Sequence, residues 1–132
     1  MNRALFTSFD GRIGRQQWWL GIIALLVVEW IVLIVLGMLF GTSMVTTMDP
    51  NNPEAAAQAV GAMSLPMIIV GLVFLWPALA LYAKRWHDRG KSGWWTLIGF
   101  IPIIGWIWIL VELGFLAGTE GPNQYGPDPL AV

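Results

Sequence analysis

Residues 94–118, WWTLIGFIPIIGWIWILVELGFLAG, decide how often this chain crosses a membrane. The stretch is long enough to cross a hydrocarbon core of about 30 Å as one helix. Pro102 and Gly105 interrupt it near its middle, and each half alone is too short. A straight third span is the first reading. A re-entrant hairpin is the alternative, acceptable where its irregular backbone is buried in protein. The straight span sends the tail, residues 118–132, to the far side of the membrane, and the hairpin brings it back.

Two earlier apolar runs frame the choice. WWLGIIALLVVEWIVLIVLGMLF, residues 18–40, is too long for the apolar region of a signal peptide, typically about 7–15 residues. It carries tryptophans at one end, where amphipathic rings favour the headgroup level. The second run, residues 64–83, contains Pro66 and Pro77, each of which removes a backbone donor and invites a kink. Between them lies a small-residue connector, 41–63, without Lys or Arg. Its Asn52-Pro53-Glu54 reads as a helix start: a capping side chain, a proline at the first helical position, and an acid near the positive helix end.

Composition agrees with a membrane protein. Apolar residues make up 57% of the 132 residues and charged residues 11%, against about 25% charge in a soluble domain. All seven Lys and Arg fall in two patches, Arg3, Arg12 and Arg15, then Lys84, Arg85, Arg89 and Lys91. The positive-inside rule puts both on the cytoplasmic side, so 1–17 and 84–93 are expected inside and 41–63 outside. With the third run, 94–117, as a span, the tail falls outside too. The fold class expected is an all-α integral membrane protein of three transmembrane helices, with an oligomer of copies as a further expectation.

Five of the fifteen charged residues crowd into KRWHDRGK, residues 84–91, ahead of SGWW. The topological role of such charge is the plainest one. Ser92 can also cap the third helix, so that Arg85, Arg89 and Lys91 lie beside free N–H groups and a Trp94-Trp95 pair, a plausible anion site to which Arg12 and Arg15 are added as candidates. At the cytoplasmic face the nearest abundant anion is a phospholipid headgroup. Gly90-Lys91-Ser92 is not a phosphate loop, because Arg85 stands where a glycine is needed and no strand precedes it. His87 and Asp88 are helix neighbours and point apart, so they form no relay by themselves; Asp88 is expected to pair with Arg85 or an arginine of the first patch. One histidine and no cysteine oppose a zinc site, and no nucleotide, nucleic-acid or other cofactor fingerprint is present. Glu29 lies near the middle of the first span, where charge costs at least ~2.5 kcal/mol, so it is expected to pair, protonate or face a bundle interior. Glu112 lies in an apolar run nearer an end and carries less weight. Gly37/Gly41 and Gly114/Gly118 fit a small-residue helix contact.

Three segments, FDGRIGRQQWW (9–19), KRWHDRGKSGWW (84–95) and GTEGPNQYGPDP (118–129), resemble in order and spacing the DUF805 family of small bacterial inner-membrane proteins. The resemblance covers nearly the whole chain. It implies an inner-membrane protein with a cytoplasmic N-terminus and marks Arg12, Arg15, Arg85, His87, Asp88, Asn123, Tyr125 and Asp128 as motif positions. It supplies no activity. Gln124 stands where the tail motif often has an arginine. If the tail is cytoplasmic, the three motifs can meet in one polar cluster. The functional expectation is a non-enzymatic membrane protein with a basic and aromatic site for anionic lipid or a partner. The alternative is a small oligomeric transporter or channel component using Glu29.

Overall fold

A computed structural model describes residues 5–47 and 51–131. Arg3 of the first basic patch and Asp49 of the connector lie outside them. The described residues are helical throughout, apart from turns and one isolated bridge. Helix α1 runs Arg15–Thr47 and α2 runs Pro53–Asp88. Both are long and apolar enough to cross a membrane. Their apolar side chains are widely exposed, with Leu20, Trp30, Leu72 and Val73 among them. A soluble monomer rarely shows so large an apolar surface, whereas lipid accepts it.

The chain divides into two compact units. One comprises residues 25–75, the inner parts of α1 and α2; the other joins residues 1–24 with 76–132. In the first unit α2 begins as the sequence indicates: Asn52 Oδ1 accepts the Ala55 N–H at 3.2 Å, Pro53 opens the helix and Glu54 occupies its first turn. The helix continues through Pro66 without interruption. Gly37 and Gly41, read as a helix-contact pair, have nothing within 4 Å of a modest added side chain.

The second unit contains the buried core and the motifs. Trp18, Leu81, Trp86 and Leu113 pack there, and Leu81 fills the space that a side chain on Gly21 would occupy. Helix α2 passes through Pro77 and stops at Gly90. That residue takes φ +71°, and the N–H groups of Gly90 and Lys91 bond back to the His87 and Trp86 carbonyls at 2.9 Å each. This glycine-terminated stop satisfies the last carbonyls of the helix.

The straight third helix does not form. Residues Gly93–Phe100 wind as a 3-10 helix, Ile104–Ile109 form α3, and Leu110–Phe115 form a π-helical turn. The break has a local cause. Pro102 lacks a donor, and Ile103 adopts φ +66°, ψ −66°, with the Ile104 N–H bonded to the Pro102 carbonyl at 2.8 Å. Such a γ-turn is rare and strained for a β-branched residue. Gly105 lets the two arms touch, because a Cβ there would overlap the Ile98 carbonyl. Gly114 likewise meets Trp19 and Trp18 rings, and Gly118 meets Asp88, so neither serves a helix-helix stripe.

Replacing Gly105 with Ala is expected to lower the thermal midpoint in detergent by separating the arms. Gly37→Ala, in open helix, should leave it unchanged or raise it slightly, since Ala gains about 1 kcal/mol of helix propensity. Equal midpoints for the two variants would contradict this account of the turn.

Candidate functional site

The three motifs meet at the end of α2. Asp88 is the centre. Its Oδ1 accepts Nε and Nη2 of Arg12 at 3.1 and 3.0 Å, and its Oδ2 accepts Nη1 of Arg85. Arg85 is wholly buried and Asp88 is 3% exposed. Two cations on one carboxylate leave an excess positive charge, and backbone carbonyls absorb it. Arg85 donates to Leu113 (2.8 Å), Leu116 (2.6 Å) and Ile13 (3.5 Å). Arg12 donates to Gly121 (2.7 Å), Gly126 (3.2 Å) and Thr119. Buried charges need this degree of hydrogen bonding to offset desolvation. The expected partnership of Asp88 with Arg85 or with the first patch takes both forms at once.

The tail is folded around that centre by its own turns. Asn123 and Gly126 exchange backbone hydrogen bonds at 3.0 Å. Asp128 accepts the N–H groups of Gly121 and Leu130, both at 2.9 Å. These two bonds, Leu130 first, hold its carboxyl below the ordinary value of 3.8, and the nearby charge of Arg12 adds to the effect. Asn123 Nδ2 donates to the His87 carbonyl at 2.9 Å, and Tyr125 stacks flat on the His87 ring with centroids 3.9 Å apart. His87 Nδ1 lies 3.2 Å from the Gly11 carbonyl, which accepts from the Nδ1–H tautomer. His87, Asp88, Asn123, Tyr125 and Asp128 therefore form one cluster with Arg12. The tail lies with both basic patches rather than away from them, as the straight-span reading had placed it.

A second ionic group adjoins the first. Glu112 accepts Arg89 Nε at 3.0 Å and Lys91 Nζ at 2.7 Å. Lys91 also lies over the Trp86 and Trp95 rings at 5.6 and 5.2 Å, a cation–π arrangement. Arg89 reaches the Ala117 carbonyl as well. Glu112 is the functional-site residue that sequence reasoning underweighted, because its partners stand more than twenty positions away.

The anion site expected at the third helix start is not assembled in that form. Ser92 does cap, accepting the Trp94 N–H at 3.4 Å, while its carbonyl takes the Trp95 N–H at 3.1 Å. Two of the N–H groups meant for an anion, those of Trp94 and Trp95, are thus engaged, and Trp94 projects outward, 78% exposed. Arg15 differs from the other motif arginines. It is exposed, donates to the Phe115 carbonyl at 2.9 Å, and has no carboxylate within 4.0 Å among the described residues. It borders a cavity of about 120 Å³, together with Gly14, Gly118, Thr119 and Glu120. Glu29 belongs to the other unit. It is half-buried in α1, with no hydrogen-bond or ion-pair partner among the described residues.

Comparison with known proteins assigns the chain to a family. The profile of the family described as "Protein of unknown function (DUF805)" matches residues 6–127. The chain is 33% identical to Inner membrane protein YhaH of Escherichia coli K12, over 94% of this chain and 88% of that protein. It is 31% identical to Inner membrane protein YhaI of the same strain, over 94% and 87%. The Uncharacterized protein YiiR is 30% identical over 92% and 85%. No solved structure matches.

Asp88→Ala leaves two buried guanidiniums without their carboxylate and is expected to cost about 3–5 kcal/mol, the usual range for removing one buried ionic partner. Thermal unfolding in detergent would register it, and a loss as small as that of an exposed-site substitution would refute the central role of Asp88. Acid should act through Asp128. Its folded pKa is depressed, so its contribution is complete above the ordinary value of 3.8 and fades as pH falls through the lower folded value. Tyr125 ring resonances are expected to report a docked tail down to about pH 4 and release below it. Asp128→Asn should abolish that acid step.

Proposed function

Because the chain belongs to the DUF805 family, we propose that it is a non-enzymatic inner-membrane protein that holds an anionic phospholipid headgroup beside Arg15. Its N-terminus, the end of α2 and the tail face the cytoplasm, as the positive-inside rule requires of a side carrying both basic patches. The observation that carries the headgroup reading is the unequal commitment of the cations. Arg12 and Arg85 are spent on Asp88, and Arg89 and Lys91 on Glu112. Arg15 keeps most of its guanidinium donors beside an open cavity. An arginine fork suits phosphate oxygens. Asp88, Glu120 and Asp128 line the same cavity beside Arg15 and Arg85 and oppose a multiply charged anion, which favours the single charge of a phosphodiester. His87 faces Gly11 and Tyr125, while Asp88 faces its arginines, so the two form no acid–base pair with each other.

A second reading rests on Glu29. A half-buried carboxyl with no partner among the described residues, at membrane depth, suits a proton or ion path formed between copies of the chain. Under that reading Glu29→Gln abolishes a flux that wild-type protein shows in liposomes.

Native mass spectrometry of gently extracted protein separates the two. The headgroup reading expects phosphatidylglycerol or cardiolipin on the wild type, reduced roughly tenfold in Arg15→Ala, the loss of about one charge-assisted contact of 1.4 kcal/mol. Retention by Arg15→Ala equal to the wild type would overturn it.

A further inference from the structure

We infer that residues 93–116 form a wedge that enters and leaves the bilayer on one face and meets the acyl chains of one leaflet. The inference goes beyond headgroup binding and does not depend on it. Its strongest support lies at the feet. Lys91 and Glu112 flank the segment, residues 92–111 between them carry no charge, and the two feet are joined at 2.7 Å. Arg85, buried at the end of α2, also holds the Leu113 carbonyl. A segment whose first and last charged residues touch cannot have them on opposite sides of a membrane.

The arms have half-membrane length. Eight residues of 3-10 helix rise roughly 16 Å. The returning residues Ile104–Phe115 rise roughly 18 Å as helix. The hydrocarbon core is about 30 Å thick. The surface is apolar on every side: Phe100 is 85% exposed, Ile104 67% and Trp106 61%. Trp94 and Phe115, also exposed, stand at the feet, where an aromatic ring suits the interface.

Lipid normally excludes irregular backbone because unpaired N–H and C=O groups are too costly there. This tip meets part of that requirement internally, although the Ile103 N–H has no acceptor among the described residues. The N–H of Ile101 bonds to Ile98, that of Gly105 to Ile101, that of Ile104 to Pro102 and that of Ile107 to Ile103. The Trp106 indole closes the gap between the arms by donating to the Gly99 carbonyl at 2.9 Å. Pro102 brings no donor to be satisfied. One buried hydroxyl, Thr96 Oγ1, has no partner among the described residues. It is a further local cost inside the hairpin. These features commit the wedge to lipid rather than to a second copy, since the apolar surface faces outward all round instead of along one stripe.

The chain has no cysteine, so spin labels can be placed on Trp94→Cys, Phe115→Cys and Phe100→Cys without altering the background. The protein would be reconstituted in phosphatidylcholine vesicles, where anionic headgroup binding plays no part. A double label at 94 and 115 should give a separation well short of the roughly 32 Å of a straight helix. A label at 100 should collide readily with oxygen and poorly with an aqueous nickel chelate. Feet about 30 Å apart would establish a straight span and end the proposal. A label at 100 shielded from both reagents would show that protein covers the tip, and would end it equally. Retained or lost headgroup binding by Arg15→Ala leaves either result untouched.

Discussion

Everything at the motif end of this protein depends on one carboxylate receiving two arginines. Asp88 alone could neutralise one guanidinium. The second would be an uncompensated charge beside apolar helices, a cost of several kcal/mol. The chain answers with six carbonyl oxygens, drawn from the N-terminal arm, the returning hairpin and the tail. The ionic centre therefore recruits three segments that are remote in sequence. It also dictates small residues around it: Gly118 must be glycine because any side chain would occupy the space of the Asp88 carboxylate.

The second ionic group repeats the scheme with looser packing. Glu112 is shared by Arg89 and Lys91, both partly exposed, and two tryptophan faces shield the lysine. Pairing a residue just past α2 with one near the end of the returning helix determines where the hairpin begins and ends. Charge here serves topology twice. It supplies the basic loop on which the sidedness expectation rests, and it holds the two ends of the hairpin together.

Local features were legible from residue order. The Asn52 start of α2, the Ser92 cap, the divergence of His87 from Asp88 and the partners of Asp88 all follow from short-range geometry or from a small choice of counter-ions. The family was legible from three motifs. The path of residues 94–117 was left open between two shapes, because Pro102 and Gly105 permit a break without requiring one. The break in the helix is made by the positive-φ Ile103 and the contact of Gly105 with Ile98, neither of which has a one-residue signature. Glu112 was underweighted for the same reason: its partners come within reach only once the segment returns. Carbonyl ligands such as Thr119 and Leu113 carry no side-chain signal at all. The anion site drawn around Arg85, Arg89 and Lys91 treated the cations as free, whereas Arg85 is buried against Asp88, and Arg89 and Lys91, partly exposed, share Glu112.

The tail's carbonyls give the order of synthesis a structural meaning. Arg12 is translated first, Asp88 much later, and Thr119, Gly121 and Gly126 later still. Both long helices are complete before the last ligands of Arg12 exist. A chain stopped after residue 116 would have its membrane helices and its hairpin, yet would hold Arg12 against Asp88 without any of its three carbonyl acceptors. The N-terminal arm can be locked only by a segment made after these helices, so that lock is the last part of the motif end to form.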